Sequence, residues 1–257
     1  MTDTEPEALV ERDGAVLIVT INRPAQKNAM TRSAGELIAT ALDELDSDPT
    51  LSVGVITGAG GTFCSGMDLK RFAAGEPASV PGRGLGGFAQ RPPDKPLIAA
   101  VEGWAVAGGF ELVLACDLVV AAVGAQFGLP EVRRGLVAAG GGMFRLPRLV
   151  SRAVAMELIL TGDTVTAERA AALGLVNRLV ADGTALAEAV AFAQRLAANA
   201  PLALAASKRV VVESTDWPLA ESFDRQRVIT DPVFASDDAR EGATAFAEKR
   251  LPVWTGH

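Results

Sequence analysis

Ala107-Gly108-Gly109-Phe110-Glu111-Leu112 opens the stretch of this chain that decides its fold, and Phe127-Gly128-Leu129-Pro130-Glu131 closes it. In the first, a turn of small residues leads into an apolar helical run. In the second, a proline precedes an acid at the end of an apolar run. Both carboxylates sit among apolar neighbours, where burial is costly and raises a carboxyl pKa. Taken singly, Glu111 fits a solvated helix face and Glu131 fits a loop or cap carboxylate after Pro130. Taken together, two such groups can hold, position and split a water molecule. That is acid–base chemistry, and it needs neither a metal nor a histidine.

Outward from this stretch the chain alternates strands and helices. Upstream, Leu97 to Glu102 reads as a strand; downstream, Gly109 to Cys116 reads as a helix and Asp117 to Ala122 as a strand. Nearer the start, Leu9 to Ile21 reads as a β-hairpin turning at Asp13-Gly14. Thr31 is placed to cap a helix whose apolar face is Leu37, Ile38, Ala41, Leu42 and Leu45. Val53 to Thr57 is a short buried strand. Residues 75–93 hold nine Gly or Pro and read as an irregular, mobile segment along which an acyl chain would run. Ser151 and Thr166 cap helices that stop near Gly162 and Gly174, and Leu175 to Val180 is a strand. Ala185 to Ala198 is helical, Pro201 starts another helix, and further helical stretches lie near 218–230 and 237–250. Strands mixed with helices and then helices alone predict an α/β core over 1–195 and a C-terminal helical region over 196–257. Pattern alone leaves two partners for the apolar face of that region, its own core or a second subunit.

The composition removes several chemistries. The only histidine among 257 residues is His257, read as lying on a frayed end, and there is no tyrosine. A serine or cysteine nucleophile therefore has no internal histidine to activate it. The two cysteines, Cys64 and Cys116, match no zinc spacing or disulfide framework. Cys64 reads as a small buried filler. A net charge of −7 without a basic stripe argues against nucleic acid and anionic membrane. The acidic start and the charges that break the apolar run from Leu97 to Leu129 argue against a secretory signal and a membrane span. A cytoplasmic setting is expected.

Two turns add a second element of chemistry. Thr57 to Leu69 reads as a strand end, a tight loop and a helix start, and Ala107-Gly108-Gly109 should repeat that geometry after its own strand. Each exposes backbone N–H groups, and one from each turn could share a single carbonyl oxygen. An ordinary strand-to-helix turn is the plainer reading of either alone. Gly82-x-Gly84-x-x-Gly87 matches a dinucleotide fingerprint only formally, because it follows prolines rather than a strand. Lys249-Arg250 read as a solvated face.

Taken together, the motifs resemble the crotonase (enoyl-CoA hydratase/isomerase) superfamily. The match is carried by Asn22-Arg23-Pro24 with Asn28-Ala29, by Phe63-Cys64-Ser65-Gly66-Met67-Asp68-Leu69, and by Lys95 to Gly103. It continues through the two glutamate motifs, Leu160-Thr161-Gly162, Ala171 to Val176 and Asp237 to Arg250. It spans about residue 9 to 251. The resemblance implies a spiral of repeated β-β-α units whose C-terminal helices pack on neighbouring subunits, in a homotrimer or a hexamer made as a dimer of trimers. It implies that Ser65 and Gly108 supply the N–H groups that hold a thioester oxygen, and that Glu111 and Glu131 are the catalytic acids. It places Lys27, Ala29, Ser65, Met67, Asp68 and Leu69 at the adenosine end of coenzyme A, with Phe246 and Lys249 reaching a CoA, often a neighbour's. Coenzyme A is part of the substrate, so neither a separate cofactor nor a metal is implied. The implied reaction is enoyl-CoA hydration. A double-bond isomerase, a specialised hydroxyacyl-CoA dehydratase and a non-catalytic acyl-CoA-binding protein are the alternatives. The loop after Glu131 lacks the family's usual proline, with Ala138 in its place, and Met143-Phe144 replace a common Thr-Gln. These changes are expected to reshape the pocket near the reacting carbons.

Overall fold

The computed structural model describes residues 5–257. The hairpin forms as expected: β1 (Ala8–Asp13) pairs antiparallel with β2 (Val16–Ile21). Helix α1 (Arg32–Ser47) follows, with Thr31 Oγ1 accepting the Ala34 N–H at 3.0 Å. Its buried stripe of Ile38, Ala41, Leu42 and Leu45 has helical spacing. Thr31 is itself buried, so its loss leaves an orphan donor in a dry place. We expect Thr31→Ala to cost about 1–2 kcal/mol in urea unfolding, with the m-value unchanged.

After β3 (Val53–Gly58) come α2 (Leu69–Ala73), β4 (Ser79–Val80), β5 (Gly84–Leu85), β6 (Leu97–Val101), β7 (Trp104–Val106), α3 (Gly108–Val113), β8 (Leu118–Ala122) and β9 (Gln126–Gly128). The rest is α4 (Gly142–Leu149), α5 (Arg152–Thr161), β10 (Thr164–Thr166), α6 (Ala167–Ala172), β11 (Arg178–Val180) and α7 (Ala185–Ala197), then α8 (Pro201–Glu213), α9 (Ser222–Phe234) and α10 (Asp237–Glu248).

The main sheet has the order β1-β2-β3-β6-β8-β11 and is parallel from β2 onward. Both of its faces are covered. Ala189 and Ala193 of α7 pack on Val53, Val55, Ile98, Ala100 and Val120, and the larger core lies on the other side. That two-sided burial explains why these strands are apolar throughout rather than alternating. A smaller sheet has the order β10-β9-β7. None of its three strands shows in the sequence, because three residues are too short for a period to appear.

The two sheets give the β-β-α spiral. β6 runs in the main sheet, β7 in the small one, and α3 follows. β8, β9 and a short 3₁₀ helix at Pro130–Arg134 repeat the sequence of events one layer on. β7 and β9 lie side by side in parallel, with Val106 opposite Gly128. Neighbouring strands are about 4.8 Å apart, so the two helical turns that follow them start next to each other. The Phe110 and Phe127 rings, 5.5 Å apart, wedge α3 against β9.

Two expectations are corrected. Residues 75–93 are irregular as expected outside one short hairpin, but they are not loosely held: β4 pairs with β5, and Phe88 and Ala89 after it are buried. Gly87 there touches α1 so closely that a Cβ would sit 2.0 Å from the Gly35 carbonyl oxygen, so that glycine serves packing. His257 is not frayed either: its carbonyl accepts the N–H groups of Asp237 and Asp238, which opens α10. The buried Asp238 carboxylate in turn accepts the N–H groups of Thr255 and Gly256.

Helices α8, α9 and α10 leave apolar side chains uncovered. Val211, Phe223, Val228, Phe234 and Phe246 are each more than 70% exposed, so this face does not pack on the chain's own core. No helix among the described residues is long and apolar enough to cross a membrane.

Candidate active site

The local folding of the first loop explains its sequence. Asn28 is fully buried; its side chain accepts the Arg23 N–H and donates to the carbonyls of Ala59 and Thr62. Arg23 pairs with Glu7 at 3.1 Å and with Asp68 at 3.0 Å. Asp68 caps α2, accepting the Lys70 and Arg71 N–H groups. Burial alone would raise the Asp68 pKa, but the Arg71 N–H and the Arg23 guanidinium together hold it below the ordinary carboxylate value. The Asn-Arg-Pro motif is therefore a brace that fixes Cys64 to Leu69.

That brace sets two backbone N–H groups. Ser65, expected to be one of them, is not available: its N–H donates to the Lys27 carbonyl at 3.1 Å. At Gly66 the backbone turns through φ +98°, a value that suits glycine. Beyond it, the Gly66 carbonyl and the Asp68 N–H both bond Met30. Met67 lies between those two bonds, so its own N–H faces the opposite side of the strand. It finds no acceptor among the described residues. Without the break at Gly66, the two-residue period would have sent the Ser65 and Met67 N–H groups the same way. On the facing segment Ala107 holds φ +51°, an unusual value for alanine. Positive φ in a residue with a Cβ stores strain that recurs at functional sites. Gly108, next in the chain, begins α3, so its N–H has no partner inside that helix. A Cβ on Gly108 would sit 3.5 Å from the Met67 nitrogen and 3.4 Å from the Gly66 Cα. Met67 and Gly108, one from each turn, thus bring close together two backbone N–H groups that have no acceptor among the described residues.

Glu111 and Glu131 open onto the same cavity of about 810 Å³. Ala29, Ser65, Met67, Asp68, Leu69 and Gly108 line it with them. The expected residues that do not are Lys27, which is exposed beside Gln26 on the wall, and Phe246 and Lys249 at the C-terminal end of α10. Met143 and Phe144 also stay off the wall, with their side chains about half exposed, and Ala138 is buried behind it. The substitutions noted in that loop thus act from outside the cavity. Ser79, Leu85 and Gln90 from the 75–93 hairpin do line it. Sequence reading brings the 75–93 segment to the acyl chain but does not single out these three residues.

The two carboxylates differ in their surroundings. Glu111 is only 3% exposed, and its Oε1 accepts the Gly142 N–H at 2.9 Å. Burial raises its pKa, against the pull of the Gly142 and Gly140 amides and the Arg145 guanidinium. Glu131 Oε2 is buried and has no hydrogen-bond partner among the described residues. Burial, helped by the negative charge of Glu111, pushes the Glu131 pKa up to about 7. Around neutral pH this arrangement holds one carboxylate anchored and one within reach of either protonation state. Cys64 is buried and its thiol is pushed up to about 12, which fits a packing role. Among the described residues, no group of three or more His, Cys, Asp or Glu could hold a metal ion.

The chain matches the enoyl-CoA hydratase/isomerase family over residues 11–257. It is 42% identical to an enoyl-CoA hydratase of Mycobacterium tuberculosis, covering 97% of each chain. It is also 42% identical to a carnitinyl-CoA dehydratase of Salmonella typhi, covering 95% of this chain and 97% of the other. Its fold superposes on the crystal structure of an enoyl-CoA hydratase from Mycobacterium marinum with a TM-score of 0.97 at 58% identity, over 98% of this chain and 100% of that one. The chain belongs to the enoyl-CoA hydratase/isomerase family and is an enzyme of the enoyl-CoA hydratase type.

Proposed function

We propose that this protein adds water reversibly across the 2,3 double bond of an enoyl-CoA thioester. The observation that carries the reading is the shared cavity: two buried glutamates of unequal environment face the backbone cradle of Met67 and Gly108. The thioester oxygen lies between the Met67 and Gly108 N–H groups, which stabilise the enolate-like charge that develops as water attacks. Glu111 and Glu131 hold that water between them. Glu111, anchored by the Gly142 N–H, takes its proton. Glu131 delivers a proton to the α-carbon, a role that suits a carboxyl whose pKa is raised. Ala29, Asp68 and Leu69 lie along the path of the CoA moiety. The uncovered face of α8–α10 supports assembly into a trimer or a pair of trimers, in which Phe246 and Lys249 reach a neighbour's CoA.

Two acids favour hydration or dehydration over double-bond shift, which needs only one. The test is a panel of crotonyl-, octenoyl- and a bulky branched enoyl-CoA, followed by loss of the conjugated thioester absorbance. Consumption of at least one at enzymatic rates supports the reading. Binding without turnover of any would leave an acyl-CoA-binding protein instead. A pH dependence follows from the proton donor. Glu131 must be protonated, so kcat/KM is expected to fall as pH rises through about 7, by roughly tenfold per unit beyond it. A rate flat from pH 6 to 9 contradicts that assignment.

A further inference from the structure

Arg145 lies outside the motifs that mark the two acids, yet it joins the surroundings of Glu111 to the cavity wall. It starts from α4, one turn past Gly142. Its guanidinium donates to the Gly140 carbonyl at 3.2 Å and to the Ala89 carbonyl at 2.7 Å. The first bond holds the loop that wraps Glu111. The second ties that loop to Ala89, in the stretch between the lining residues Leu85 of β5 and Gln90. The loop is closed tightly on both sides. A Cβ on Gly140 would lie 2.7 Å from Glu111 Oε2, and one on Gly141 would lie 2.2 Å from Arg145 Nη1. Glu111 thus sits on one side of three consecutive glycines and the guanidinium on the other.

We propose that Arg145 is the positioning residue of the acid pair: by clamping Gly140–Gly142 around Glu111 and facing it with a fixed positive charge, it decides that Glu111 is the ionised member and Glu131 the protonated one. Arg145 reaches neither substrate nor water in this scheme and acts through the glycine loop and its field. The charged and titratable groups that bear on the trio are few. Glu111 feels Arg145, and Glu131 feels Glu111 and Arg134. Arg145 feels Glu111, Cys116 and Arg148. Phe144 packs over the guanidinium at 5.3 Å and covers it from outside. Burial disfavours the charged guanidinium, but the neighbouring Glu111 supports it, as a mutually dependent pair should. Against burial, the Gly142 and Gly140 amides lower the Glu111 pKa first and the guanidinium charge next, and removing Arg145 withdraws both that charge and the bond that holds Gly140.

The inference rests on the hydratase reading only for its kinetic arm, so the deciding experiment needs no substrate. The side-chain carboxyls of uniformly ¹³C-glutamate-labelled full-length protein are titrated by NMR, with Glu111→Gln and Glu131→Gln assigning the two resonances. In Arg145→Met, Glu111 is expected to titrate higher than in the parent by about half a pH unit or more, and Arg145→Lys should recover part of that shift. Gly141→Ala, which strikes the guanidinium without removing its charge, should loosen the clamp and move Glu111 in the same direction by less. In the kinetic arm, the acid limb of kcat/KM moves up in Arg145→Met while the KM for the thioester changes little. An unmoved Glu111 titration in Arg145→Met would overturn the proposal, whatever happens to turnover. If Arg145→Met does not fold, Arg145→Lys and Gly141→Ala decide the matter: parent-like Glu111 titration in both would equally overturn it.

Discussion

Replacing Glu111 or Glu131 by glutamine is expected to lower turnover of crotonyl-CoA hydration by about 10²–10⁴ in each case. Glutamine keeps the shape of the side chain, and its amide oxygen can still accept the Gly142 N–H that holds Glu111 at 2.9 Å. What is lost is proton exchange: an amide at position 111 cannot take a proton from water, and one at position 131 cannot deliver a proton to the α-carbon. At position 131 the substitution removes a carboxyl whose buried Oε2 is unpartnered among the described residues, so the fold should not suffer. Affinity for a saturated acyl-CoA, measured by calorimetry, should stay within a few-fold of the parent, because neither carboxylate is assigned a contact with CoA. The double variant should lose little more than the worse single one, since the pair acts as a unit. Near-full turnover in either single variant removes that residue from the mechanism.

The second large effect is expected at Gly66. Its φ of +98° and the space it leaves are both required by the cradle. A Cβ there would lie 2.8 Å from the Ala107 Cβ and 3.1 Å from the Gly108 nitrogen. In Gly66→Ala the segments carrying Met67 and Gly108 must separate, and the loss of one well-placed donor costs about 10²–10³ in kcat. The optical signature is separate from the rate. A conjugated enoyl thioester polarised by two N–H donors absorbs further to the red when bound, and that shift should shrink in Gly66→Ala. Glu111 and Glu131 should titrate as in the parent, which distinguishes a damaged cradle from a damaged acid pair. A folded Gly66→Ala protein with parental turnover and an unchanged red shift would falsify the assignment of Met67 and Gly108.

Much of the frame was legible from local chemistry. The hairpin at Asp13-Gly14, the caps at Thr31, Ser151 and Thr166, and the helix opened by Pro201 all form where their residue types place them. Each depends on groups a few residues apart, which one sequence window contains. What escaped was short or self-contradicting. Helix α4 carries Pro147 inside it and begins at a run of glycines, so its local preferences argue against a helix that tertiary packing nevertheless forms. The packing of segment 75–93 escaped because Gly86 answers to Leu112 of α3 and Gly87 to Gly35 of α1, partners distant in sequence.

The candidate site divides the same way. That two glutamates in apolar surroundings belong to acid–base chemistry follows from the cost of burying charge, and that the only histidine stands at the end of the chain follows from counting. Which N–H groups point into the cavity depends on one backbone rotation at Gly66, invisible in a string of letters, and it exchanged Ser65 for Met67. The nearness of Glu111 and Glu131 comes from the parallel register of β7 and β9, strands too short to announce themselves. Their unequal environments come from Gly142 and Arg145, contributed by the loop and helix after Glu131, whose contacts with Glu111 no spacing in the sequence announces. The sequence alone determined the kinds of groups available and the local turns that present them. Only the tertiary structure decided which groups meet, because pairing across strands and burial are set by contacts between residues far apart in the chain.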